Sequence, residues 1–328
     1  MRRAALLVSA AALTVPAAAS AQQPVSAPTP PPPAQTGGRL SLEVDRVLGR
    51  APGPIAMAGE SFRVTGRVSR YAPGQTVVVR FYRGSRKLHA QRERVLPARA
   101  GRAGRFVTAF SAARPGSITV RASHRATAAQ RTLLARPVRV AVVVPRAGPG
   151  ARGPIVRLLQ RRLGALHYAV SQSGVYDGGT ARAVMAYRKV RGMARGGSAS
   201  TQVFRGLSRG QGGFRVRFPG HGKHVEADLS RQVLALIVGR RLHRIYHTSS
   251  GAPPTPTVRG NFRVYRQSLG TNAKGMVDSS YFIRGYAVHG YASVPAFGAS
   301  HGCLRVPVPS ARAIYSWIDL GDRVDVYG

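Results

Sequence analysis

The sequence predicts a multidomain, mainly β protein, and three observations carry that expectation. At 328 residues the chain exceeds the usual size of one hydrophobic core. Breaks rich in proline and glycine divide it at Pro24–Gly38, Val144–Pro154 and Arg205–Gly213. The apolar period also changes along the chain, from alternation over 40–144 to helical spacing over 152–208, then back to strand-like runs with one short helix over 213–328.

Arg2 and Arg3 followed by the apolar run Ala4–Val15 and by Ala19-Ser20-Ala21 predict a signal peptide over 1–21, with a mature start near Gln22 and export to the periplasm or cell wall. The apolar run is short for a bilayer span, so the only membrane attachment expected is through an uncleaved signal peptide. Residues 22–39, with Pro30–Pro33, read as an extended proline-rich linker. Over 40–144, runs such as Phe62-Arg63-Val64-Thr65 and Ser117-Ile118-Thr119-Val120-Arg121 separated by Gly or Pro turns predict an antiparallel β-sandwich, read as an immunoglobulin-like spacer or adhesion module.

Ile155, Leu158, Leu159, Leu163 and Leu166 recur at helical spacing, and Gly174-Val175-Tyr176-Asp177 precedes a second helix bearing Ala183, Val184 and Tyr187. These residues are first of all a core. The stretch 156–163, the 174–177 turn and Thr180–Val184 resemble the small three-helix peptidoglycan-binding domain, although Tyr187-Arg188 stands where that family commonly has Phe-Gln. In the last segment, strands are expected around Phe262–Tyr265, Tyr281–Ile283, Tyr286–His289 and Val324–Tyr327, with a hairpin through Gly239-Arg240. A helix is expected over Ser310–Leu320, ended by Gly321 and with Ile314, Trp317 and Ile318 as core.

Cys303 is the only cysteine, so an internal disulfide is excluded. An intermolecular bridge, an inert thiol or a nucleophile remain, and nearby His289 and His301 favour the nucleophile. A free thiol titrates near ~8.5, and an imidazolium partner would bring it down. His289 ends a strand beside Gly290, where a backbone carbonyl would hold the imidazole in one tautomer. His301 lies two residues before Cys303 and either shares its face or braces the loop by hydrogen bonding. Gly302 permits a tight turn that would aim the amides of Gly302 and Cys303 at a developing oxyanion. Arg305 either grips a substrate carboxylate or is a solvated arginine, and Ser300 is grouped with it as substrate-binding.

The segment 213–328 resembles the L,D-transpeptidase, or YkuD-type, catalytic domain through Val225–Leu236, Gly251–Phe262, Val288-His289-Gly290 and above all Ser300-His301-Gly302-Cys303-Leu304-Arg305-Val306. The resemblance implies a β-rich domain with Cys303 as nucleophile and His289 as base. It implies acyl transfer between peptidoglycan stem peptides: loss of D-alanine from a tetrapeptide donor, a thioester on Cys303, and a 3-3 crosslink to a second stem. Water as acceptor would make the enzyme an L,D-carboxypeptidase, and a decayed, non-catalytic wall-binding protein is the reading from a different class. A cysteine endopeptidase with cysteine before histidine in the chain runs in the opposite order to this one.

The formal charge is +39, almost all from arginine, with no acidic residue between Glu93 and Asp177. Such a balance raises nucleic acid as a partner. The arginines are scattered without stacking aromatics and the chain is read as exported, so an anionic cell-wall polymer is the expected partner and nucleic acid is not. The pairs His221/His224 and His243/His247 lack a convincing third ligand, so neither metal nor cofactor is expected.

Overall fold

The computed structural model describes residues 35–50, 53–99 and 101–328. The expected signal peptide and all but the end of the proline-rich linker lie outside the described residues.

Among the described residues the first module carries ten strands: β1 Leu40–Asp45, β2 Ile55–Met57, β3 Ser61–Val68, β4 Thr76–Arg83, β5 Arg86–Arg94, β6 Leu96–Pro97, β7 Gly104–Ser111, β8 Gly116–His124, β9 Leu133–Leu134 and β10 Val138–Val143. They form two sheets, ordered β1-β3-β7-β6 and β2-β10-β8-β4-β5, with β9 attached to β8. Alternation decides which face is covered. Phe62 and Val64 of β3, Val77, Val79 and Phe81 of β4, and Ile118 and Val120 of β8 point inward and meet in one core. Strand β5 runs along an open edge with its Arg and Lys side chains in solvent, which discourages pairing with another chain.

Three helices follow: α1 Pro154–Ala165, α2 Gly178–Val190 and α3 Thr201–Ser208. Pro154 occupies the first turn of α1, where its missing N–H costs nothing. Asp177 caps α2, its Oδ1 accepting from the Thr180 amide at 2.7 Å. The helical core, including Leu159, Leu163, Val184, Tyr187 and Phe204, is continuous with Leu48, Ile55 and Met57 of the first module and with Val233 and Ile245 of the last domain. The turn after α1 also joins the last domain through its backbone. The Ile245 amide donates to His167 O at 2.9 Å, and the Ala169 amide to Ile245 O at 3.0 Å.

The last domain contains β11 Lys223–Asp228, β12 Val233–Val238, β13 Arg241–His247, β14 Gly260–Arg263, β15 Arg266–Thr271, β16 Val277–Ile283, β17 Tyr286–Tyr291, β18 Leu304–Pro307, α4 Val308–Tyr315 and β19 Arg323–Tyr327. Its sheets are ordered β13-β12-β11-β19-β14 and β15-β16-β17-β18. Val225, Leu234, Leu236, Phe282, Val288, Leu304, Ile314 and Val324 share one core. Ser249 and Arg305 exchange backbone hydrogen bonds at 3.0 and 2.9 Å, which ties the segment after β13 to β18.

Two expectations change here. The helix read as Ser310–Leu320 is Val308–Tyr315, because Pro309 suits its first turn and the chain tightens at the other end, with the Trp317 amide donating to Ile314 O at 3.2 Å. Trp317 and Ile318 still pack on the core, from that turn, and Gly321 takes φ +87 in the bend leading to β19. Strand β15 was not expected. Its residues Arg-Gln-Ser-Leu-Gly-Thr are mostly exposed and carry no apolar alternation.

Candidate active site

Strands β17 and β18 run parallel, with Val288 opposite Leu304 and His289 opposite Arg305. Side chains alternate, so one face of this pair sends Val288, Leu304 and Val306 into the core. Gly290 belongs to that face, and a Cβ there would lie 2.6 Å from the Cβ of Ala311 on α4, so glycine lets the helix close on the strand. The opposite face carries Ala287, His289 and Tyr291 beside Cys303 and Arg305. The His289 ring meets Tyr291 edge-on at 5.7 Å between centroids, and the Arg305 guanidinium lies 4.1 Å from the centre of the same tyrosine ring. Cys303 packs against Met276, Tyr281 and Ala287.

His289 is 3% exposed, and its Nδ1 lies 2.9 Å from the Gly290 carbonyl oxygen. A carbonyl only accepts, so Nδ1 carries the hydrogen and Nε2 keeps a lone pair. Burial lowers the imidazole pKa below its usual range; the Gly290 carbonyl opposes that shift and the nearby Arg305 adds to it. Burial raises the Cys303 thiol, against the opposing pull of the Ala287 amide, Arg305 and Lys274. Burial thus favours the uncharged form of both groups.

The 300–303 loop is braced by Ser300, which is 2% exposed. Its Oγ accepts from the Gly302 amide at 3.1 Å and donates to the Cys303 carbonyl at 2.6 Å. The Ser300 hydroxyl is thus turned into the loop and braces it, a role weighed above for His301. His301 itself is exposed at the loop tip. Gly302 takes φ +110, and a Cβ there would sit 2.5 Å from the Tyr286 ring, so only glycine fits. Its amide points at Ser300 Oγ, whereas the sequence aimed it at a developing oxyanion. Arg305 forms no ion pair among the described residues.

The histidines weighed as metal ligands are otherwise engaged. His221 Nδ1 lies 3.0 Å from Asp325 Oδ2, His224 Nε2 lies 3.3 Å from Glu226 Oε1, and His243 stacks on Trp317. Among the described residues no group of three metal-binding side chains comes together. A cleft of about 340 Å³ opens between α2 and the ends of β17 and β18, lined by Arg182, Met185, His247, Tyr291, Val294 and Pro307.

Two residues of the site escaped the sequence reading. Tyr291 stands two residues past His289, so strand alternation alone would have placed it beside the histidine. Tyr286, which fixes the need for Gly302, had no comparable signal.

Known proteins bear on this arrangement. The family model of the YkuD L,D-transpeptidase catalytic domain matches residues 222–326. The crystal structure of an L,D-transpeptidase from Xylanimonas cellulosilytica is 34% identical, covering 56% of this chain and 98% of that one with a TM-score of 0.53. An L,D-transpeptidase (Yku) from Stackebrandtia nassauensis is 20% identical over 56% of this chain and 95% of its own, with a TM-score of 0.35. The catalytic domain of the E. faecium L,D-transpeptidase is 22% identical over 33% and 98%, with a TM-score of 0.29. No curated protein matches the chain. With 34% identity sustained over 98% of the crystallised Xylanimonas chain, its residues 123–326, and with β17 and β18 side by side inside the matched segment, the chain belongs to the L,D-transpeptidase family and is an enzyme that acts on peptidoglycan.

Proposed function

We propose that the enzyme forms 3-3 crosslinks between peptidoglycan stem peptides through a thioester on Cys303. The observation that carries this reading is the placement of His289 on β17 opposite Arg305 of β18, with Cys303 just ahead of β18 and packed on Ala287, and with the imidazole Nδ1 tied to Gly290 O and Nε2 left as acceptor. Nε2 takes the thiol proton as Sγ attacks the carbonyl carbon of the third stem residue. Since burial lowers the imidazole and raises the thiol, proton transfer in this reading accompanies the attack and does not precede it. The Cys303 amide is the loop's remaining oxyanion donor, since the Gly302 amide serves Ser300. Protonated His289 returns its proton to the departing amine as the C–N bond breaks and D-alanine leaves. The acceptor stem's amine then attacks the thioester, giving a proton to His289 while the C–S bond breaks and the thiol reforms. Arg305, held over Tyr291, supplies a guanidinium for a stem carboxylate.

The same first half-reaction with water as acceptor gives an L,D-carboxypeptidase, and loss of both reactions would leave a wall-binding protein. In this reading the helical unit contributes glycan affinity, the first module acts as an immunoglobulin-like spacer, and the +39 charge retains the exported protein on an anionic wall polymer. No helix among the described residues is long and apolar enough to cross a membrane.

The test is to incubate the full chain with a tetrapeptide-stem muropeptide and follow D-alanine release and dimer formation by mass spectrometry. Cys303→Ala should abolish both with an unchanged melting temperature. A variant keeping more than a few per cent of activity removes Cys303 from the mechanism.

A further inference from the structure

Lys189, near the end of α2 in the helical unit, is 3% exposed. Its ammonium projects across the boundary into the catalytic domain, where it meets Gln232 O at 2.9 Å, Thr248 O at 3.0 Å and His247 Nδ1 at 2.7 Å. A carbonyl only accepts, so His247 Nε2 carries the hydrogen directed to Val294 O at 2.8 Å, and Nδ1 accepts from the Lys189 ammonium. Val294 lies in the segment that joins the histidine strand β17 to the cysteine loop.

A second route leaves from the same ammonium. Gln232 adopts φ +58, a backbone conformation unfavourable for a residue with a Cβ, and Lys189 binds its carbonyl there. The Gln232 side chain grips Ser250, with Nε2 to Ser250 Oγ at 2.6 Å and the Ser250 amide to Oε1 at 2.8 Å. Ser250 O in turn receives the amides of Ala299 and Ser300 at 2.8 and 2.9 Å. The two routes reach both ends of the 294–300 stretch that leads into Cys303. Arg195, just beyond α2, adds a bond to Ala296 O at 2.6 Å. The positive charges that face Lys189 and His247 are Arg182 and Arg195, and no carboxylate is among their hydrogen-bond partners.

We propose that Lys189 is a positioning residue for the reaction at Cys303: the helical unit sets the geometry of the catalytic loop from outside the catalytic domain. This rests on Cys303 being the reacting group. A lysine kept only to fill space would be replaced at less cost by an apolar side chain, since a buried ammonium loses its hydration. Three donors aimed at three acceptors from separate segments are what a methionine lacks.

The experiment uses the full chain with Lys189→Met, Ser250→Ala and the double variant, assayed well below each melting temperature. Lys189→Met should lower kcat for D-alanine release by about 10- to 100-fold with KM within about threefold, as expected for a loop misplaced around the reacting atoms. Ser250→Ala should lower kcat less, and the double variant should be no slower than Lys189→Met, because both act through one chain of bonds. Alkylation of Cys303 by iodoacetamide against pH needs no substrate. Its midpoint should move down toward the ordinary thiol value in Lys189→Met, as the loosened loop lets water reach the sulfur. Folded Lys189→Met with kcat within twofold of the parent and an unmoved midpoint overturns the inference. If Lys189→Met does not fold, the same two readings on Ser250→Ala decide it. A parent protein that releases no D-alanine sinks the proposed function, and the alkylation midpoint still decides the role of Lys189.

Discussion

The first module and the catalytic domain are both built from sheets, yet they bury different things. The four carboxylates of the first module, Glu43, Asp45, Glu60 and Glu93, all retain contact with solvent. The catalytic domain has six carboxylates and sinks four: Glu226, Asp228, Asp278 and Asp325. Each is satisfied by directed donors. Glu226 takes the amides of Arg217 and Phe218, both at 2.8 Å, and the Tyr327 hydroxyl at 2.8 Å, while Asp278 takes Arg312 Nε and the Gly270 amide, each at 2.9 Å. An apolar core accepts any shape of about the right volume, whereas a buried hydrogen-bond set accepts one geometry. The first module therefore keeps its carboxylates in contact with solvent, and the catalytic domain holds its buried carboxylates by directed bonds.

The comparison is tested most severely at His289. His289→Ala should slow acylation by about 10²–10⁴, roughly 3–5 kcal/mol of transition-state stabilisation, with little change in melting temperature. Because the thiol in the free protein is raised by burial and not lowered by an imidazolium, the pH midpoint of Cys303 alkylation should barely move in the same variant. A large upward shift would mean that an ion pair is present in the free protein. Phe81→Ala should do the reverse. Phe81 is fully buried and stacked on Phe110 at 4.3 Å, so its loss should cost about 3–5 kcal/mol of stability while kcat of the folded enzyme stays within twofold. Circular dichroism melts paired with D-alanine release would separate the two behaviours.

A pH-dependent effect comes from Lys189 and His247. Burial and the charge of Arg195 lower Lys189 from the ordinary 10.5 to about 7, and burial followed by Lys189 lowers His247 from 6.5 to about 4. Both folded values lie below the unfolded ones, so the unfolded chain binds more protons between each pair of values and stability rises with pH there. The contribution should climb from about pH 4 to 6.5 for His247 and from about pH 7 to 10.5 for Lys189, with a slope of at most about 1.4 kcal/mol per pH unit from each group. Denaturant melts across pH should show the upper rise in the parent and its loss in Lys189→Met. The smallest change is Asp177→Ala, which removes the α2 cap and should cost about 1 kcal/mol in the same melts.

How much of this was legible in the sequence follows from the same contrast. Alternation disclosed the inward set of β3, β4 and β8, and the motif from Ser300 to Arg305 pointed to the face proposed to react, because both are local patterns. Directed long-range bonds leave no such pattern. Ser300 was read as facing a ligand because nothing along the chain shows that its hydroxyl turns back to Gly302 and Cys303. Strand β15 was invisible because it is an exposed edge strand whose pairing with β16 does not require apolar residues. Lys189 was visible only as an oddity, one of four lysines against 46 arginines, since 50 basic residues less four lysines leaves that number. A compact ammonium fits a pocket of three converging acceptors that a planar guanidinium does not.

The core that runs without a break from Leu48 and Met57 through α1, α2 and α3 to Val233 and Ile245 decides where the molecule can be cut. A fragment trimmed to the matched segment would begin at residue 222, after the last helix. It would bare Val233 and Ile245, strip the His167–Ala169 backbone from the edge of β13, and leave the carbonyls of Gln232 and Thr248 without their ammonium. The smallest piece worth expressing starts ahead of α1, and recombining this catalytic domain with a foreign targeting module means carrying the three helices along as part of the enzyme.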